Sequence, residues 1–133
     1  MPIQPYLFFE GRCEEALEYY RRALGAEIEM LMRYKDSPEP VQGKAPPPDK
    51  VMHACFRVGD ARVMASDGFA SGSPSFQGFS LSLAVRSEAD AERVFGALAD
   101  GGQVKMPLAK TFFAKRFGMV ADRFGVSWMV IHE

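Results

Sequence analysis

The residues able to do chemistry in this 133-residue chain are few, because it holds only two histidines, His53 and His132, and two cysteines, Cys13 and Cys55. His53 and Cys55 stand two apart in the apolar run Val51–Val58, and Arg57 follows two further on. Side chains alternate across a strand, so this spacing sets an imidazole, a thiol and a guanidinium side by side on one face. The same parity gives Arg62, Met64 and Ser66 after a Gly59-Asp60 turn, and later Ser80 and Ser82. In such a row His53 can act as a ligand donor or general base, since imidazole titrates near neutrality. The plainer reading is a strand histidine bonded to a neighbour. Cys55 is a nucleophile only if Arg57 or His53 lowers its pKa, and is otherwise a small wall residue. Cys55, His53, Met64 and Met129 together would make a soft Cu(I) donor set, although no spacing demands it.

Three further features bear on chemistry. Asp67 ends the hairpin, either as a cap on the loop that follows or as an acid at the mouth of a pocket. Lys110, Lys115 and Arg116 bracket Phe112-Phe113. Rings beside cations suit an anionic, partly flat ligand, while a solvated hairpin with two core phenylalanines accounts for the same residues. Trp128 lies on the alternate face from Met129, which makes it a core residue whose indole N–H wants a partner. His132, next to the last residue, reads as solvated.

The elements that must position these groups follow from periodicity. Ile3–Phe9 is a strand-length apolar run, ended by Glu10-Gly11. Glu14–Leu24 is an amphipathic helix with Ala16, Leu17, Tyr20 and Leu24 on its core face, Tyr19 at the border, and Glu18 and Arg22 paired on the wet side. Gly25 stops it. Ala26–Tyr34 is a strand in which Ile28, Met30 and Met32 alternate against Glu27, Glu29 and Arg33. Asp36–Lys50, with five prolines, cannot continue a strand or build a core and is a loop. Val51–Val58 and Ala61–Ser66 form a hairpin, with Met52, Ala54, Phe56 and Val58 on the helix side.

The programme then repeats. Phe79–Val85 is a strand and Glu88–Leu98 a helix capped by Ser87, with Ala91, Val94, Phe95 and Leu98 as its stripe. Val104–Leu108 is a strand, and Ala114–Ala121 with Val126–Ile131 is a hairpin. Strand, helix, three strands, twice over at an offset of about 75 positions, predicts an internal duplication. The fold class is α+β: two tandem βαβββ modules, residues 1–67 and 78–133 joined by a linker 68–77, with curved mixed sheets around a shared cavity.

Composition bounds the partners. A chain of this length with 47% hydrophobic residues and 11 Phe can bury a core without staples. Sixteen basic and 17 acidic residues are interspersed, so no polycationic surface invites nucleic acid. Apolar runs stop at strand length, far short of a membrane span. Met1-Pro2-Ile3-Gln4 has no signal-peptide character, which predicts a cytoplasmic protein with Cys13 and Cys55 as thiols.

The duplicated pattern resembles the vicinal oxygen chelate superfamily, which holds the glyoxalases, bleomycin-resistance proteins and extradiol dioxygenases. The local wording is similar to its PhnB-like branch. Phe8-Phe9-Glu10-Gly11 leads into Cys13-Glu14-Glu15-Ala16, Tyr19-Tyr20 and Leu24-Gly25, and the hairpin runs Met52-His53-Ala54 to Met64-Ala65-Ser66-Asp67. The tail is the most specific part: Gly101-Gly102, Met106-Pro107-Leu108, Thr111-Phe112-Phe113-Ala114, Phe117-Gly118, and Asp122-Arg123-Phe124-Gly125-Val126-Ser127-Trp128. Proteins of this branch have carried the label of a demethylubiquinone methyltransferase. Holding S-adenosylmethionine usually takes a glycine-rich turn after a first parallel strand, and Gly72, between Ser71 and Ser73, has no glycine at the required spacing.

The resemblance also locates the superfamily's metal ligands on the first and last strands of each module, at Gln4 or Pro5, near Met64, near Ser80 and near Met129. Only Gln4 among these could coordinate a hard dication in the usual way. The expectation is therefore no metal and no cofactor. A pocket of mixed polar, cationic and thioether character is drawn from His53, Cys55, Arg57, Arg62, Met64, Ser66, Ser80, Ser82, Phe113 and Met129. The function expected is metal-independent binding of a small organic molecule, with a homodimer implied by resemblance. The alternative is an enzyme using His53 or Asp67 for proton transfer. A metal-dependent lyase or dioxygenase ranks last.

Overall fold

A cysteine, two alanines, a leucine and a tyrosine at helical spacing fix the first helix. α1 (Cys13–Leu24) buries Cys13, Ala16, Leu17, Tyr20 and Ala23, so the apolar stripe ends on Ala23 and not on the expected Leu24. Gly25, at φ 68°, then takes the left-handed conformation that glycine adopts without strain. A computed structural model describes residues 2–38 and 46–133. Of the proline-rich loop expected over Asp36–Lys50, residues 39–45 lie outside the described residues.

The chain divides into two units, Met1–Pro74 and Ser75–Glu133. In the first, strands β1 (Tyr6–Phe8), β2 (Glu27–Arg33), β3 (Val51–Val58) and β4 (Ala61–Ser66) form one sheet in the order β1-β4-β3-β2. β1 runs parallel to β4, and the other neighbours are antiparallel. The second unit repeats this with β5 (Leu81–Ala84), α2 (Glu88–Ala99), β6 (Gln103–Ala109), β7 (Arg116–Ala121) and β8 (Ser127–His132), in the order β5-β8-β7-β6. The fold is α+β, two βαβββ modules, as the duplicated pattern predicts.

One face of each sheet carries the helix. In the first unit Leu7, Ala54, Phe56, Val63 and Ala65 are buried beneath α1, with the Tyr20 ring stacked 5.5 Å from Phe56. Burying rings of this size stabilises by about 1.5–3 kcal/mol each. In the second unit Val120, Trp128 and Val130 lie beneath the α2 stripe of Ala91, Val94, Phe95 and Leu98. Gly118 is small for a packing reason: a Cβ there would come within 2.6 Å of Phe95 Cε2 and 3.0 Å of the Leu108 backbone. Ser87 caps α2 as expected, its side chain accepting from the Asp90 N–H at 3.0 Å.

The duplication reaches the irregularities. β2 shifts register against β3 between Ile28 and Met30, and β6 shifts against β7 between Val104 and Met106. Each shift is a bulge with one extra residue, Glu29 and Lys105 respectively. No helix among the described residues is long and apolar enough to cross a membrane.

Candidate functional site

The face of the first sheet turned away from α1 collects the groups that chemistry needs. Unbroken pairing of β3 with β4 puts Cys55 opposite Met64 and Arg57 opposite Arg62. Parallel pairing brings Tyr6 opposite Met64 and Phe8 opposite Ser66. His53, Cys55, Arg57 and Met64 are half-buried, and Arg62 is exposed. All lie on the side that alternation assigns to them.

At the centre of this face the Tyr6 phenol oxygen and His53 Nδ1 share a 2.8 Å hydrogen bond, with ring centroids 5.5 Å apart. Phe8 stacks on Tyr6 at 4.9 Å. Burial pushes the Tyr6 pKa up, against a hydrogen bond to Ser66 that lowers it. A phenol that holds its proton can donate this bond to Nδ1. Tyr6 was not among the candidates read from the sequence, because its partner His53 lies 47 residues away.

The cationic lining expected from Arg57 and Arg62 is corrected by the structure. Glu27 pairs with Arg57, and Glu29 reaches Arg62 at 2.8 Å and Arg57 at 3.7 Å. Hydrogen bonding from Arg62 first, and the charges of Arg62 and Arg57 after it, hold the Glu29 carboxyl below its ordinary range. Simple alternation put these glutamates opposite Met30 and Met32. The bulge at Glu29 instead brings Met30 opposite Cys55 and Met32 opposite His53, on the face the glutamates also reach. The guanidinium groups are thus compensated, and they offer geometry and hydrogen bonds but little free charge.

Asp67 is corrected too. It is 1% exposed, and its carboxylate accepts from the backbone N–H groups of Gly11 at 3.0 Å, Cys13 at 2.7 Å and Val51 at 2.7 Å. It caps α1 from a distance, where Arg12 supplies no side-chain cap. A buried carboxylate filled by three backbone donors is a structural acceptor, with its oxygens committed to the fold. Ser66 is likewise occupied: its hydroxyl accepts from the Gly68 N–H at 2.9 Å and lies 3.4 Å from the Val51 carbonyl. A cleft of about 350 Å³, lined in part by Asp67, opens at the start of α1; there Arg33 pairs with Glu14 at 2.6 Å and Lys50 donates to the Gly11 carbonyl at 2.9 Å.

The two thiols are free and lie on opposite faces of the first sheet, Cys13 in the core and Cys55 away from α1. Burial, with Asp67 and Glu14 nearby, drives the Cys13 pKa far up, so this thiol is inert.

The corresponding face of the second sheet has other contents. Ser82 and Met119 both lie opposite Met129, and Met106 lies opposite Met119. Ser80 shares a 2.6 Å hydrogen bond with Ser127. Phe113 is 48% exposed with its ring edge-on to Phe117 at 5.1 Å, and Phe112 is fully exposed, so neither is a core residue. Lys110 and Lys115 are exposed beside them, and Arg116 leans toward Glu92 at 3.8 Å and Glu88 at 4.0 Å. The Trp128 indole finds its partner in buried Asp122, 2.9 Å away, a carboxylate that also accepts from Phe124 and Val126. His132 is half-buried with Nδ1 3.3 Å from the Val85 carbonyl, not solvated.

Of the positions the resemblance assigns to metal ligands, Met64 lies opposite Tyr6 in the first unit and Met129 opposite Ser82 in the second. A methionine thioether at either last-strand position is a poor donor to a hard dication, which takes carboxylate, imidazole or carbonyl oxygen and nitrogen.

Comparison with known proteins agrees with this duplicated architecture. Protein YjdN of Escherichia coli (strain K12) is 37% identical over 138 residues, covering 98% of this chain and 94% of its own. The crystal structure of protein PA1353 from Pseudomonas aeruginosa superposes with a TM-score of 0.86 at 48% identity, covering 100% of this chain and 98% of its own. A PhnB protein from Bacillus cereus does so at 0.83 and 30% identity over both whole chains. At fold level alone, a glyoxalase/bleomycin resistance protein from Albidiferax ferrireducens T118 matches at 0.59 with 14% identity, covering 98% of each chain. A family model described as 3-demethylubiquinone-9 3-methyltransferase matches residues 1–131, and the chain belongs to that family, within the glyoxalase/bleomycin-resistance fold.

Proposed function

We propose that this protein binds a small organic molecule without a metal, on the face of the first sheet centred on Tyr6 and His53. The observation that carries the reading is the Tyr6–His53 hydrogen bond under the Phe8 ring. It holds the imidazole in place and lays flat aromatic surface beside it. Such a site suits a flat ligand with one hydrogen-bonding group. Compensated arginines favour a neutral or weakly charged molecule over a strong anion. A homodimer, in the manner of drug-sequestering proteins of the superfamily, belongs to the same proposal.

Methyl transfer, despite the family's description, is not part of it. That reaction needs a seat for S-adenosylmethionine, and the two mixed sheets among the described residues supply no doubly wound parallel sheet.

The test is a thermal-shift screen of flat phenols, quinones and heteroaromatics against the wild-type protein, His53→Ala and Tyr6→Phe. A true ligand at a hundredfold excess over its Kd stabilises by roughly 2.7 kcal/mol, several degrees in Tm. That rise is expected to vanish in His53→Ala and shrink in Tyr6→Phe. A ligand whose shift survives both changes would sink the site. Conversion of the ligand by the wild type, lost in His53→Ala, would favour the second reading, an enzyme with His53 as base.

A further inference from the structure

The same sheet face carries a row of sulfur that the small-molecule reading does not use. Met30 lies opposite Cys55 across β2 and β3, and Cys55 lies opposite Met64 across β3 and β4. Three strands thus present thioether, thiol and thioether at one level. We infer that Met30, Cys55 and Met64 form a binding site for a soft monovalent cation, Cu(I) in particular.

The geometry is set by the sheet. Neighbouring strands run about 4.8 Å apart, and paired residues hold their Cβ atoms roughly 5 Å apart. The Cys55 sulfur sits one bond beyond its Cβ, while each methionine sulfur sits two bonds out on a flexible stem. Both thioethers can therefore swing over the central thiol, and three sulfurs converge on an ion above Cys55. None of the three is locked in the core: Met30 is 39% exposed, and Cys55 and Met64 are half-buried. The nearest polar contact of the thiol is weak, Glu29 Oε1 at 3.9 Å from Sγ, and that carboxylate already serves Arg62 and Arg57.

Donor chemistry selects the metal. One thiolate and two thioethers are soft ligands that prefer Cu(I), whereas Zn(II) favours sites richer in thiolate and imidazole. Binding replaces the thiol proton with the ion and releases one proton per Cu(I), with no change of oxidation state. The three sulfur positions are distinct from the strand positions of the superfamily's metal except at Met64. The second module supplies an internal control, because its row Met106, Met119, Met129 repeats the sulfur pattern without a thiol.

The experiment is anaerobic titration of the whole protein with Cu(I) held by bicinchoninate, followed by X-ray absorption of the loaded protein. One equivalent should move from the competitor to the wild type, with sulfur-only nearest neighbours. Cys55→Ala should weaken binding by about 100-fold or more, and Met64→Leu or Met30→Leu by roughly 10-fold each, in line with losses at metal sites. Met129→Leu should change nothing. No transfer from bicinchoninate, a nitrogen- or oxygen-dominated shell, or full retention in Cys55→Ala would each overturn the assignment. If Cys55→Ala fails to fold, the wild-type absorption spectrum and Met64→Leu still decide the matter.

Discussion

The two modules share a topology, a strand order and a bulge, yet their faces turned away from the helices have diverged in chemistry. In the first, Tyr6, His53, Cys55 and a Glu27–Glu29–Arg57–Arg62 cluster make that face polar and reactive. In the second, Met106, Met119, Met129, Phe117 and Ile131 make the equivalent face thioether and hydrocarbon apart from the hydroxyls of Ser80, Ser82 and Ser127. Duplication preserves what the backbone needs, since register and bulge decide which residues face which way. It leaves the exposed side of each sheet free to change.

The capping of the two helices gives the largest test of this difference. α2 is capped by its own neighbour, Ser87. α1 is capped by Asp67, which is 54 residues from Cys13 in sequence and also holds the start of β3. Asp67→Ala would strand three backbone donors, two tied to the start of α1, each costing about 1–3 kcal/mol when buried and unsatisfied. A loss of roughly 3 kcal/mol or more in ΔG of unfolding is expected by urea denaturation. Ser87→Ala should cost only about 1 kcal/mol, the usual value of a local cap. Equal losses would mean that the first module does not depend on its distant carboxylate.

A middle-sized effect separates the cores. Gly118 and Ala54 occupy equivalent places, each one residue before the position opposite the last strand's methionine. Gly118→Ala would push a methyl against the Phe95 ring and the Leu108 backbone, an overpacking worth about 1–3 kcal/mol. Ala54→Gly, its mirror, should cost only about 1 kcal/mol through chain entropy and a lost methyl. Tm measured for both variants checks the order. A neutral Gly118→Ala would show that α2 sits more loosely on its sheet than the contacts imply.

How much of this was legible without coordinates depends on how local the cause is. β3 and β4 are regular and joined by a tight turn, so period-two parity alone put His53, Cys55, Arg57, Arg62 and Met64 on one face. β2 has the same kind of sequence but contains the bulge, and one extra residue separates Met30 and Met32 from Ile28, with which alternation groups them. Nothing in Glu27-Ile28-Glu29-Met30 announces the bulge. Asp67 and Tyr6 were opaque for a different reason. Their roles lie in partners tens of residues away, and a carboxylate or phenol in isolation fits many places.

The smallest effect tests the electrostatics of the bulges themselves. At the first bulge stands Glu29, whose pKa is lowered chiefly by Arg62; at the second stands Lys105, which donates to Gln103 at 3.1 Å. A carboxylate with a depressed pKa in the folded state contributes stability that is present above its unfolded pKa and is lost as pH falls through the folded value. The Tm gap between wild type and Glu29→Gln should therefore be open at pH 7 and close below the ordinary carboxylate range. Both partners are exposed, so the gap is small, and it should narrow further in added salt. Lys105→Gln should show no such closure, because among the described residues its partner is the neutral amide of Gln103. If the Glu29→Gln gap stays constant down to pH 3, the arginines are not held by this glutamate, and the first face regains the free positive charge that the pairing removes.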